Sequence, residues 1–132
     1  MHKQAEPFRV FLVEDNPLIR ESLIEHIEEL LPADVIAWEH SEKASVDWLK
    51  ANAFMWDVAV VDLFLQEGSG LGVAKSQEKR AVTQKLVVLS NYATEEIRKR
   101  CMAIGVDAVF DKSNELEEFT VFMLEVARSK GH

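Results

Sequence analysis

A single cysteine, Cys101, stands in the 132 residues of this chain, so no internal disulfide can form and a reducing compartment suits it. No apolar run approaches the roughly 18 residues that a membrane span needs. The first residues, Met1 to Pro7, are polar and hold no apolar core of a signal peptide. A cytoplasmic location without a membrane partner is therefore expected. Positive charge is in the minority: 15 Lys and Arg against 23 Asp and Glu give a formal net charge of -8. A field of that sign opposes DNA or an anionic membrane, so direct nucleic-acid binding is not expected. His2, His26, His40 and His132 show no metal-ligand spacing. Repeats, low-complexity tracts and internal linkers are missing, with only three prolines and five glycines. One domain is expected over residues 1–132, its core at about 8–128, with no output domain in the chain.

The apolar residues, 48% of the chain, fall into two alternating patterns. Short β-rich runs predict strands at Phe8 to Val13, Val35 to Trp38, Asp57 to Asp62, Leu86 to Ser90 and Ala108 to Phe110. The third of these is an unbroken apolar run ending on one carboxylate, as suits a strand buried on both faces of a parallel sheet. Between the runs, helical spacing recurs. Asn16 and Pro17 start a helix that carries Ile19, Leu23, Ile27 and Leu30 to Leu31, and Pro32 ends it. Ser41 can cap a helix reaching about Asn52, and a weaker stripe predicts one over Leu71 to Ala81. Thr94 can cap the next, with Glu95 and Glu96 favourably placed, Ile97, Cys101 and Ile104 facing inward, and Gly105 as its stop. Asn114 with Glu117 resembles a capping box for a last helix marked by Leu116, Phe119, Met123 and Val126. Trp38, Trp48 and Trp56 read as packing residues, Cys101 as core, and Arg98-Lys99-Arg100 as a solvated helix face or a partner surface.

Strictly alternating strands and helices predict an α/β fold, a doubly wound three-layer sandwich around a parallel sheet. In such a fold ligands sit beyond the carboxyl ends of the strands. Those ends carry Glu14 and Asp15, Asp62, Ser90, and Asp111 with Lys112. Three converging carboxylates repel one another and call for a cation, and hard oxygen ligands suit magnesium. A lysine and a hydroxyl beside them fit stabilisation of a phosphoryl group carried by one of the acids. A dinucleotide or flavin site is disfavoured, because the loop after the first strand is Glu14-Asp15-Asn16-Pro17, which repels phosphate. Gly68, Gly70 and Gly72 match neither phosphate-loop pattern.

With Val13-Glu14-Asp15-Asn16, Val61-Asp62-Leu63, Gly70-Leu71, Leu89-Ser90 and Asp111-Lys112 in order, the chain resembles the receiver domain of two-component response regulators from Phe8 to about Arg128. The resemblance implies a five-stranded parallel sheet of order 2-1-3-4-5 with five helices, flavodoxin-like. It implies that Asp62 accepts a phosphoryl group from a sensor histidine kinase or a histidine phosphotransfer protein. Glu14, Asp15, Asp62 and the backbone carbonyl of Phe64 would hold magnesium, and Lys112 and Ser90 would contact the phosphoryl group. The output would be a changed surface on the fourth helix, fifth strand and fifth helix, offered to a downstream protein or a second copy.

Several positions depart from the family's pattern. Gln66 and Ser113 stand where proline is usual, so a cis peptide after Lys112 is open. Asn91 replaces a small residue, and Val109 takes the place of the aromatic switch, with Phe110 beside it pointing to the other face. Tyr92, two residues past Ser90, is the nearest replacement readout. Asp15 could equally cap the first helix, and Asp111 reads as a loop residue. The reading from another class is a receiver-like interaction module that binds a partner independently of phosphorylation. An aspartyl phosphohydrolase is disfavoured, because Phe64 occupies the position where a second acid is wanted.

Overall fold

A computed structural model describes residues 7–130, which leaves His2, His132 and the ends of the expected domain outside the described residues. The elements alternate as β1 (Phe8–Val13), α1 (Pro17–Leu30), β2 (Ala33–Glu39), α2 (Glu42–Ala51), β3 (Val58–Val61), α3 (Gly70–Ser76), β4 (Lys85–Ser90), α4 (Glu95–Ala103), β5 (Ala108–Asp111) and α5 (Leu116–Ser129). The strands form one parallel sheet in the order β2-β1-β3-β4-β5. β3 lies at its centre with every residue buried, which is why its sequence, Val-Ala-Val-Val, does not alternate.

Successive side chains point to opposite faces of the sheet and so build two cores. Val10, Leu12, Val58, Val60, Val87 and Leu89 pack against Leu23 and Ile27 of α1 and Phe119 and Met123 of α5. Phe11, Val13, Ala59, Val61, Leu86 and Val88 meet Leu49 of α2, Val73 of α3 and Cys101 of α4. Each fully buried side chain of this size contributes about 1.5–3 kcal/mol. Cys101 is fully buried, and burial pushes its thiol above the usual value, so it behaves as a small core residue.

The expected helix starts hold for three helices. The Asn16 carboxamide accepts the N–H groups of Leu18 and Ile19, Ser41 accepts that of Ala44, and Thr94 that of Ile97. The start of α5 differs. Asn114 makes no cap; the residue before the helix is Glu115, whose carboxylate is drawn instead to Arg98 and to the Asp111 N–H. The third helix is also shorter than its apolar stripe predicts, ending at Ser76 rather than Ala81. Beyond it Arg80 spans the carbonyls of Gln77, Gln84 and Gly105 and the carboxylate of Asp107, contacts that a continued helix would forgo. β2 runs longer than expected, from Ala33 to Glu39, and β3 shorter.

Trp48 stacks on Phe11 with ring centroids 4.2 Å apart, and Trp56 is fully buried with no hydrogen-bond partner for its indole N–H among the described residues. Trp38 departs from the packing expectation: it is half exposed, with the Arg20 guanidinium 3.7 Å over its ring. All described peptide bonds are trans, Lys112–Ser113 included.

Candidate functional site

Parallel strands in register finish at one edge. Val13 pairs with Val61, so Glu14 and Asp62 leave adjacent strands side by side, and the Asp62 N–H donates to the Val13 carbonyl at 3.0 Å. Ser90 pairs with Asp111, and the Lys112 N–H donates to the Ser90 carbonyl at 3.0 Å. From there Lys112 reaches back to both acids, pairing with the Glu14 carboxylate and with Asp62 Oδ2 at 3.1 Å. Glu14 is 1% exposed and Asp62 8%. Asp15 completes the group: oxygens of Glu14, Asp15 and Asp62 lie within 4.8 Å of one another.

Burial pushes the Glu14 carboxyl above its usual value, against the hydrogen bond and charge of Lys112, and the charge of Asp62 adds to the rise. One lysine does not balance three carboxylates. All the donors are hard oxygens, and the cleft they line, 170 Å³, has room for a small cation with several waters at ~30 Å³ each. The residues present thus fit a magnesium-type ion.

The loop after β3 is shaped by the same carboxylates. Asp62 Oδ1 accepts the Phe64 N–H at 3.2 Å, and Asp15 Oδ2 accepts that of Gln66 at 2.7 Å. Asp15 therefore does not cap α1, a task left to Asn16. Gly70 donates to the Leu63 carbonyl at 2.9 Å, and a β-carbon there would collide with the carbonyl of Asp62. Only glycine lets the loop fold back so closely on the end of β3.

Phe64 and Tyr92 both line the cleft, their rings meeting edge to face at 5.7 Å, both more than half exposed. Ser90 is fully buried, and its hydroxyl accepts the Tyr92 N–H at a long 3.5 Å. Val109 lies outside the cleft, in the core beneath α4, while Phe110 points the other way onto Phe119 and Phe122. Asp111 serves its loop, accepting from the N–H groups of Ser113 and Asn114.

Two residues were not legible as site neighbours. Arg98, expected on a solvated face or a partner surface, donates to the carbonyls of Ala93 at 2.9 Å and Val109 at 3.0 Å and pairs with Glu115. It thereby ties α4 to the loop entering it, to β5 and to the start of α5. That pairing holds the Glu115 carboxyl below its usual value. Glu42 holds the loop after β3 from α2, and its place directly after the Ser41 cap gave no sign of that.

Residues 10–123 match the response regulator receiver domain family. The nitrate/nitrite response regulator protein NarP of Escherichia coli is 32% identical over 87 residues, covering 66% of this chain and 40% of that protein. The chain thus spans less than half the length of that curated relative. Among solved structures, the signal receiver domain of NarL from Mycobacterium tuberculosis superposes with a TM-score of 0.80 at 21% identity, over 94% of this chain and 98% of that one. A chain of the CheX–CheY–beryllofluoride–magnesium complex from Borrelia burgdorferi superposes with a TM-score of 0.78 at 16% identity, over 96% and 90%.

Proposed function

Since the chain belongs to the response regulator receiver domain family, a signalling family, we propose that it is a phosphorylatable switch with Asp62 as the phosphoacceptor. An oxygen of the Asp62 carboxylate attacks the phosphorus of a phosphohistidine on a sensor kinase or phosphotransfer protein. The P–N bond breaks, and its electron pair stays with the imidazole, which takes up a proton. Glu14, Asp15, Asp62 and the Phe64 carbonyl are the residues that would hold magnesium, which when bound neutralises charge building on the phosphoryl oxygens. Lys112, already paired with Asp62, is placed to follow the phosphoryl group as a point charge. The Borrelia complex, of the same fold, pairs such a chain with magnesium, beryllofluoride and a protein partner.

The observation that carries this reading is the lysine shared between two nearly buried carboxylates, with a third acid beside them. Ser90 gives up only a long contact to Tyr92 if it turns toward a phosphoryl oxygen. Such a turn would shift Tyr92 and the start of α4, and the readout would pass to α4, β5 and α5, where a downstream protein or a second copy would bind. A cytoplasmic setting suits this role. The purely passive interaction module rests on Val109, which offers no aromatic to turn inward.

Incubation with acetyl phosphate and magnesium, followed by intact mass, tests the proposal. One phosphoryl group is expected, and none on Asp62→Asn. Undiminished labelling of that variant would place the acceptor elsewhere.

A further inference from the structure

Glu42 opens α2, remote in sequence from the acid edge, yet it grips the loop after β3 twice. Its Oε1 accepts the Ser69 N–H at 2.8 Å, and its own N–H donates to the Glu67 carbonyl at 3.1 Å. The loop is notched to receive it: a β-carbon at Gly68 or at Gly72 would collide with the Glu42 side chain. Two of the three glycines that match no phosphate-loop pattern thus make room for one carboxylate.

Asp15 also holds this loop, through the Gln66 N–H at 2.7 Å. Asp15 is also one of the acids grouped for a cation. A metal ion and the Gln66 N–H therefore draw on the same carboxylate. Glu42 is outside that competition, because it belongs to no group of converging acids among the described residues. Phe64, whose carbonyl would be the main-chain metal ligand, stands at the start of the stretch, and its bridge to Ser69 links it to the residue that Glu42 holds.

We propose that Glu42 is a positioning residue, bracing the loop after β3 from α2 so that Phe64 stays seated beside Asp62 for a divalent cation. This rests on the reading that the acid edge takes magnesium. The neutral variant Glu42→Gln keeps an oxygen acceptor for Ser69, whereas Glu42→Ala removes it and leaves the glycine notch empty.

Magnesium titration of the metal-free protein by calorimetry, with amide exchange over residues 66–69, tests the brace. Glu42→Ala is expected to bind magnesium about tenfold more weakly, the scale of losing a residue that orients a ligand. Glu42→Gln should stay within about threefold of the parent, its amide oxygen still accepting the Ser69 N–H. Exchange over the loop should quicken in Glu42→Ala and not in Glu42→Gln. Phosphoryl uptake from acetyl phosphate should slow at limiting magnesium and recover at saturating magnesium. Gly72→Ala, which crowds the carboxylate without touching the acids, should reproduce the weaker affinity. Unchanged magnesium affinity in Glu42→Ala and Gly72→Ala, with only a lowered melting temperature, would overturn the brace and leave a packing role. A parent protein that binds no magnesium would instead overturn the reading on which the brace rests.

Discussion

The two ends of the sheet treat acids in opposite ways. At the amino ends of the strands Asp57 and Asp107 each meet a cation of their own. Asp57 accepts the Arg9 N–H at 2.8 Å and pairs with the Arg9 guanidinium at 3.2 Å and with Lys130 at 3.5 Å. Asp107 pairs with Arg80 at 2.6 Å and accepts the Leu86 N–H at 2.8 Å. At the carboxyl ends Glu14, Asp15 and Asp62 converge, and among the described residues Lys112 is the one cation that pairs with them, reaching Glu14 and Asp62. The titration shifts follow this count. Burial raises both Asp57 and Glu14, but Arg9 and Lys130 overcome it for Asp57, whose carboxyl lies below its usual value, while Lys112 does not for Glu14, whose carboxyl lies above. Equal chemistry in one fold thus gives opposite shifts, and the excess of acid lies at the edge whose carboxylates could take a further cation.

The largest effect should come from worsening that excess. Lys112→Ala leaves two nearly buried carboxylates without a cation and should cost about 3–5 kcal/mol in metal-free urea unfolding at neutral pH. Added magnesium should return part of the loss by binding only the folded chain. A loss too small to measure would mean that water already satisfies the cluster and that the two ends do not differ. At the finished end, Arg80→Ala should cost about 2 kcal/mol through its lost charged hydrogen bonds. That loss should not respond to magnesium, and a response would make the contrast between the ends untenable.

These pairings also divide what was legible in the sequence from what was not. The strand-end acids and Lys112 could be placed because each follows its strand directly, so the β pattern alone delivers it to the edge. The caps at Asn16, Ser41 and Thr94 were legible because their partners lie within three residues. Arg80, Arg98 and Glu42 were not, because their partners stand 27, 17 and 27 residues away, beyond any local pattern. The length of α3 was misjudged for that reason: its stripe could continue, but Arg80 finds distant partners beyond the helix, at Gly105 and Asp107. Asn114 has the residue type of a cap, yet Asp111 already takes the N–H groups of Ser113 and Asn114. Sequence spacing reports what a residue could do locally, and tertiary partners decide between the options.

A milder variant should move the acid edge toward balance. Asp15→Asn removes one charge while its amide oxygen can still accept the Gln66 N–H, and the α1 cap on Asn16 is untouched. Metal-free stability should rise by about 0.5 kcal/mol, the scale of an exposed charge interaction, and magnesium affinity should fall. Thermal melts with and without a chelator give both signs. A less stable metal-free variant would mean that the charged bond to Gln66 outweighs repulsion within the cluster.

The smallest effect lies at the paired end and depends on pH. Asp57 holds its proton more weakly in the folded chain than in the unfolded one, whose reference value is 3.8. As pH falls, the unfolded chain takes up this proton first, so stability drains away. The contribution of Asp57 is therefore full above that value and lost as pH drops through the lower folded one. Because the Arg9 side chain is 37% exposed, solvent screens the pair and the contribution stays well below that of Arg80. The measurement is the stability difference between the parent and Asp57→Asn across this acid range. The difference should shrink as pH falls, since the parent's Asp57 is then neutral as well. A difference that stays flat would show that Asp57 acts through its hydrogen bonds to Arg9 rather than its charge, and charge matching would no longer explain why this end of the sheet is finished.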